Sequence, residues 1–187
     1  MANDLAIATG SIADVARQRG ISLPEALLDC RCLAIIDVSS SMSIDDSRGN
    51  RTRYDVAVEE LAIIQKKYAG QVAVIAFSDK AIFYPGGVPA LLGGGTDLAE
   101  ALRVASTFDH VPFIVISDGE PDDANAALAI AATIKSPIST IYVGPETRSH
   151  GRAFLSRLAS QHRGQAYTAA RAIALADKVQ LLLEGGM

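Results

Sequence analysis

From Leu33 onward, short apolar runs rich in β-branched residues alternate with longer amphipathic stretches, and no other feature narrows the choice of fold as much. The runs Leu33–Val38, Gln71–Phe77, Val111–Ile116 and Ser139–Val143 are apolar on both faces and bounded by turn residues. A strand without a polar face needs cover on both sides, which a parallel sheet between two helix layers provides. Ala81–Tyr84 is shorter and lies between Ser78-Asp79 and Pro85-Gly86-Gly87, which predicts an antiparallel edge strand reached by a tight turn. Gln165–Thr168 predicts a last strand.

The intervening stretches carry a helical period. Between Tyr54 and Tyr68, apolar side chains at Tyr54, Ala57, Val58, Leu61, Ile64 and Tyr68 form one stripe, and Gly70 ends it. Further helices are expected over Asp97–Ala105, Asp122–Ile134, Arg152–Ser160 and Arg171–Leu183. Pro121 before the Asp122-Asp123 pair suits a helix start, where acidic side chains oppose the macrodipole. Strand and helix in alternation predict an α/β, doubly wound sheet. Residues 1–32 differ in character: Ile12–Arg19 and Pro24–Asp29 read as two short helices around Gly20–Leu23. Their Ala-x-x-x-Gly-Ile-Ser flavour is that of a helix-turn-helix, but two arginines make a poor DNA reader. The expected organisation is a helical extension over 1–32 packed on a domain over 33–187.

A chain of 187 residues suits one domain, and a hydrophobic content of 49% permits a sizeable core. With no Trp and 5% aromatics, that core must be aliphatic. A net charge of −4 and a pI near 5.3 argue against nucleic acid as a partner. No run is apolar for long enough to span a membrane, and the N-terminus lacks the pattern of a secretory signal. Cys30 and Cys32 are too close for an unstrained disulfide, so they read as reduced thiols of a cytoplasmic protein. Cys-x-Cys also opens some metal sites, but no second pair and no nearby histidine accompanies it.

Three loops carry the chemistry, each at the expected C-terminal end of a strand. The first is Asp37-Val-Ser-Ser-Ser-Met42, in which Asp37, Ser39 and Ser41 alternate, so an extended or tightly turning backbone sends their oxygens one way. The second is Gly93-Gly-Gly-Thr96 and the third is Ser117-Asp118-Gly119-Glu120. Singly, each has a plain explanation as an Asx turn, a helix cap or a turn dipeptide. Together they would gather two carboxylates and three hydroxyls at the switch point of an open sheet. Such hard oxygen donors suit Mg²⁺ better than Zn²⁺. Two negative charges would leave the ion wanting a further acidic ligand.

Asp-x-Ser-x-Ser, a distant Thr after a glycine-rich loop and a later strand ending in Ser-Asp-Gly resemble the metal-ion-dependent adhesion site of the von Willebrand factor A (vWA) family. The resemblance runs from Cys32 to Leu183 and includes Met42 after the first motif. It implies a mostly parallel six-stranded sheet with one antiparallel edge strand and helices on both faces. It implies that Ser39 and Ser41 ligate a divalent cation directly, Mg²⁺ with Mn²⁺ or Ca²⁺ as alternatives. Asp37 and Asp118 would act largely through water, and Thr96 directly or through water. A partner's Asp or Glu would supply the remaining ligand, and the site would couple to the helix Arg171–Leu183. For a bacterial-looking cytoplasmic chain, the family suggests a MoxR-type AAA+ ATPase or its client as partner, and no enzymatic activity.

The polar loop Ser43–Arg53 departs from the simplest pattern. It reads as a solvated loop with internal Asp–Arg pairs. Alternatively, Asp45-Asp46 would build a second cation site, or Arg48, Arg51 and Arg53 would meet an acidic partner at the rim. A Mg²⁺-dependent phosphatase or hydrolase is the competing function. Asp37 and Asp118 fit its layout, but Ser39 stands where a general acid is needed. Lys135, Lys178, His110, His150 and His162 fall outside the three loops. A third reading is a scaffold that binds through its N-terminal helices around a purely structural ion.

Overall fold

The first strand, β1 (Cys32–Asp37), is fully buried along its whole length because both of its faces are covered. In the computed structural model, residues 7–169 are described; the expected helix Arg171–Leu183 lies outside them. The remaining strands are β2 (Val72–Phe77), β3 (Ala81–Phe83), β4 (Phe113–Ser117), β5 (Ile138–Tyr142) and β6 (Ala166–Thr168). They form one six-stranded sheet in the order β3-β2-β1-β4-β5-β6, parallel except for β3, which runs antiparallel to β2 at one edge. The α/β doubly wound fold read from the alternation is therefore the fold observed.

Alternation along β1 sorts its side chains between two cores. Leu33 and Ile35 face a layer containing α1 (Ile12–Arg19), α4 (Leu98–Ala105), α5 (Ala124–Ala131) and α6 (Ser149–Gln161), where Ile12, Leu102, Ala127 and Leu158 pack. Cys32, Ala34 and Ile36 face α3 (Arg53–Lys67), against Val56, Ala57, Leu61 and Ile64. Each fully buried Ile or Leu stabilises the fold by roughly 1.5–3 kcal/mol relative to exposure, and these aliphatic side chains supply the core that the missing tryptophans do not.

The N-terminal segment is stitched onto this frame. Ser11 caps α1, whose last turn ends at Gly20 in the left-handed conformation (φ 67°). A capping box between Ser22 and Glu25 starts α2 (Leu23–Leu27). Ala8 and Ala13 donate to the carbonyls of Gly86 and Pro85, and Gly70 donates to that of Gly10. Ile12, Ala16 and Ala26 join the core shared with β1 and β2.

Two helices differ from expectation at their starts. The Asp122-Asp123 pair splits its work: Asp123 caps α5 by accepting from Ala126 N (2.9 Å), while Asp122 turns back to Thr96. Helix α6 begins before Arg152 because Gly151 lies in its first turn, backbone to backbone with Asp118 and Gly119.

Candidate metal centre

The strand order reverses direction at β1, so the crevice beyond the C-terminal ends of β1 and β4 is the topological switch point. Asp37 is the last residue of β1, and Ser117 is the last of β4. The Ser117 hydroxyl donates to Asp37 Oδ2 (2.7 Å) and the Ser39 backbone N–H to Asp37 Oδ1 (3.0 Å). The chain then turns through the 3-10 segment Ser40–Ser43. This turn brings Ser39 Oγ and Ser41 Oγ to 3.2 Å from each other. Ser40, between them, faces the other way: its hydroxyl accepts from Gly94 N (2.8 Å) and its N–H donates to the Gly94 carbonyl. The Ser39 and Ser41 hydroxyls thus share one side of the turn and Ser40 takes the other.

The glycine loop needs its glycines. Gly93 and Gly94 have φ of 73° and 89°, in the left-handed region. A Cβ on Gly95 would sit 2.5 Å from Asp122 Oδ2 and 2.8 Å from Asp79 Oδ1, so these two carboxylates bracket it. Asp79 accepts from Gly95 N (2.9 Å) and Asp122 from Thr96 N (2.8 Å). The cap of α4 is Asp97, which accepts from Glu100 N (2.9 Å). The buried Thr96 side chain is therefore not spent on capping.

Asp118 closes the set. Its Oδ1 accepts from Glu120 N (3.2 Å), and its Oδ2 accepts from Arg53 Nη1 at 2.5 Å. Gly119 (φ 74°) tolerates no side chain, since a Cβ there would lie 2.2 Å from the Gly151 carbonyl oxygen. The site loop and the start of α6 thus fix one another. Asp37, Ser39, Thr96 and Asp118 are all buried, and Ser41 is half-buried.

Burial pushes the Asp37 carboxyl up to about 6, with the negative charge of Asp118 adding to the rise and hydrogen bonds from Ser39 and Ser117 opposing it. A desolvated carboxylate whose partners are all neutral gains most from a bound cation. Neighbouring ligands in an octahedral shell of about 2.1 Å radius lie about 3 Å apart, close to the 3.2 Å between the Ser39 and Ser41 hydroxyls. Among the described residues, no group of three or more His, Cys, Asp or Glu side chains is placed to hold a metal ion. The side chains gathered at the end of β1, the Asp37 carboxylate and the Ser39 and Ser41 hydroxyls, carry oxygens of the hard type that divalent cations such as Mg²⁺ favour.

The loop before α3 holds the internal Asp–Arg pair expected of it, Asp46 with Arg53, but Arg53 is neither solvated nor at the rim. It is 1% exposed and forks between Asp118 and Asp46, with Nε and Nη2 at 2.7 and 2.8 Å from the two Asp46 oxygens. Those bonds hold the guanidinium above its usual range despite its burial. Arg48 pairs with Glu59 and the buried Glu60, both at 2.9 Å, and donates to the Ala169 carbonyl. Arg51 pairs with Glu59, and Ser47 donates to the Val143 carbonyl. Asp46 is committed to Arg53, while Asp45 is exposed. A signal for Arg53 existed: it lies four residues before Ala57, on the stripe that α3 buries. Ser117, Ser40, Asp79 and Asp122 were not singled out as ligands or supports. Of the competing catalytic groups, His110 is exposed, His162 follows α6 and Lys135 precedes β5 at the opposite end of the sheet, while His150 is exposed beside Gly151 at the start of α6, and Lys178 lies outside the described residues.

Among solved structures, the chain is similar to BatB from Bacteroides thetaiotaomicron, with a TM-score of 0.65 and 16% identity over 83% of this chain and 99% of that one. It is also similar to the vWF domain of the type V pili tip protein Mfa5 from Porphyromonas gingivalis, with a TM-score of 0.59 and 13% identity over 81% and 95% of the two chains. The fold is that of a vWA domain. Manganese-loaded TRAP from Plasmodium vivax shares it, with a TM-score of 0.53 and 14% identity over 79% of this chain and 72% of that one. No protein-family model matches the sequence, and no curated protein aligns with it significantly. Among the described residues, no helix of this vWA fold is long and apolar enough to cross a membrane.

Proposed function

We propose that this vWA-fold chain is a divalent-cation-dependent protein-binding module rather than an enzyme. Asp37, Ser39, Ser41, Thr96 and Asp118 hold one cation, Mg²⁺ before Mn²⁺ or Ca²⁺, and a partner's Asp or Glu completes its shell. The observation that carries this reading is the pair of adjacent hydroxyls, Ser39 and Ser41, beside a buried Asp37 at the switch point. The charge arithmetic supports it as well. Arg53 already neutralises part of Asp118, so the ion faces less than two full negative charges and favours an external carboxylate. The manganese in the TRAP neighbour supports a divalent ion on this fold. Residues 1–32 serve as a helical extension to the domain over 33–187. The setting we propose is cytoplasmic, with a MoxR-type AAA+ ATPase or its client as partner.

The test is metal titration by calorimetry with partner capture. Mg²⁺ binding should disappear in Asp37→Ala and weaken in Thr96→Ala, and EDTA should release the partner while the fold persists. Partner capture that survives EDTA would transfer the reading to the N-terminal helices. Phosphatase turnover abolished by Asp37→Ala would transfer it to an enzyme.

A further inference from the structure

The surroundings of the centre restrict which carboxylate can reach it. Leu91 and Leu92 are 39% and 49% exposed, although most large aliphatic side chains of this chain are buried. They lie in the segment that hydrogen-bonds to the centre: Leu92 N and Gly93 N both donate to the Val38 carbonyl, between Asp37 and Ser39. Ile44 is 39% exposed at the other end of the turn, its N–H bonded to the Ser41 carbonyl. Apolar surface thus borders both ends of the Asp37–Ser41 turn.

The charge around it is negative. Asp79 and Asp122 are exposed carboxylates on either side of Gly95, next to Thr96, and Glu120 follows Asp118. The positive side chains beside them are Lys80, next to Asp79, and Arg148, 3.8 Å from Glu120. An approaching partner carboxylate is drawn by the ion but repelled by Asp79 and Asp122. Only a partner carrying its own positive charge beside that carboxylate removes the conflict.

We propose, resting on the function above, that the docking surface includes Leu91, Leu92 and the Asp79–Asp122 pair. Its occupant is a protein segment whose metal-binding Asp or Glu lies beside aliphatic and basic side chains. Aliphatic contact covers the two leucines, and a Lys or Arg sits opposite the two aspartates. Covering half-exposed leucines and pairing the rim together should raise affinity roughly tenfold.

Three labelled peptides test this by fluorescence anisotropy at saturating MgCl₂. Each carries one aspartate, flanked by leucine and lysine, by serines, or by glutamates. The first should bind roughly tenfold more tightly than the second, with a steeper loss in added NaCl, and the third should be weakest. Leu91→Ser with Leu92→Ser should bring the first peptide part of the way down toward the second, with its NaCl sensitivity kept, while calorimetry with MgCl₂ alone reads an unchanged ion affinity. Mg²⁺-dependent binding that ignores the flanks would overturn the surface and leave the parent reading standing. Mg²⁺ binding with no Mg²⁺-dependent peptide binding would overturn both.

Discussion

The ends of β1 and β4 offer two buried aspartates that are compensated in opposite ways. Asp37 meets only neutral donors, the Ser39 N–H and the Ser117 hydroxyl, and its carboxyl is pushed up to about 6. Asp118 meets a buried guanidinium at 2.5 Å, itself held by Asp46. The difference divides the labour of the centre. Asp118 has a buried cation beside it whether or not an ion is bound. Asp37 has a charge that the metal-free fold barely tolerates, so Asp37 is where ion binding returns the most free energy.

The largest expected effect comes from removing the compensation at Asp118. Arg53→Met leaves Asp118 and Asp46 without their shared cation, and breaking a buried pair costs about 3–5 kcal/mol. Urea denaturation in EDTA should show that loss, and saturating Mg²⁺ should recover part of it by supplying charge to Asp118 in place of the guanidinium. An unchanged midpoint would mean that Arg53 does not compensate Asp118, and the contrast between the two aspartates would vanish.

The partnership of Arg53 with Asp118 shows where sequence reasoning stopped. The strands were legible because β1, β2, β4 and β5 have no polar face, a pattern that physics allows only in a covered parallel sheet. Asp37, Ser39 and Ser41 were legible because their spacing matches the backbone period. The helical stripe signals that Arg53 turns inward, but Asp118 is far away in the chain, and no local pattern announces which carboxylate it meets. The same holds for Asp122, which resembles a helix-starting acid until Thr96 N is seen to take its carboxylate. Helix boundaries erred for a related reason. The start of α6 is set by the Gly151 contact with Gly119, a tertiary constraint.

The next effect probes Asp37 by pH. Asp37 has its pKa raised from 3.8 to about 6 on folding, so it binds a proton more tightly in the folded than in the unfolded chain. Its contribution is therefore fully present below about pH 4 and lost as pH rises through 6, a loss of about 3 kcal/mol. In EDTA, denaturation midpoints should fall between pH 4 and 7 by that amount beyond the trend of an Asp37→Asn control. With saturating Mg²⁺ the fall should shrink, since the ion replaces the proton. A fall of the same size in Asp37→Asn would assign the pH dependence to another group and break the contrast.

The smallest effect sharpens the contrast from the neutral side. Ser117→Ala removes the hydroxyl that donates to Asp37 Oδ2, and it also strips Gly119 N of its acceptor at 3.0 Å. Each lost bond costs about 1 kcal/mol, somewhat more for the one to an ionised carboxylate. The Gly119 part is independent of pH, whereas the Asp37 part is larger where Asp37 is ionised. Without that donor the Asp37 pKa rises further, so the stability loss in EDTA should shift to higher pH rather than merely deepen. A double-mutant cycle with Asp37→Asn isolates the shared part. If the coupling between Ser117 and Asp37 is zero at pH 8, neutral donors do not hold Asp37, and its charge must be satisfied by some other means.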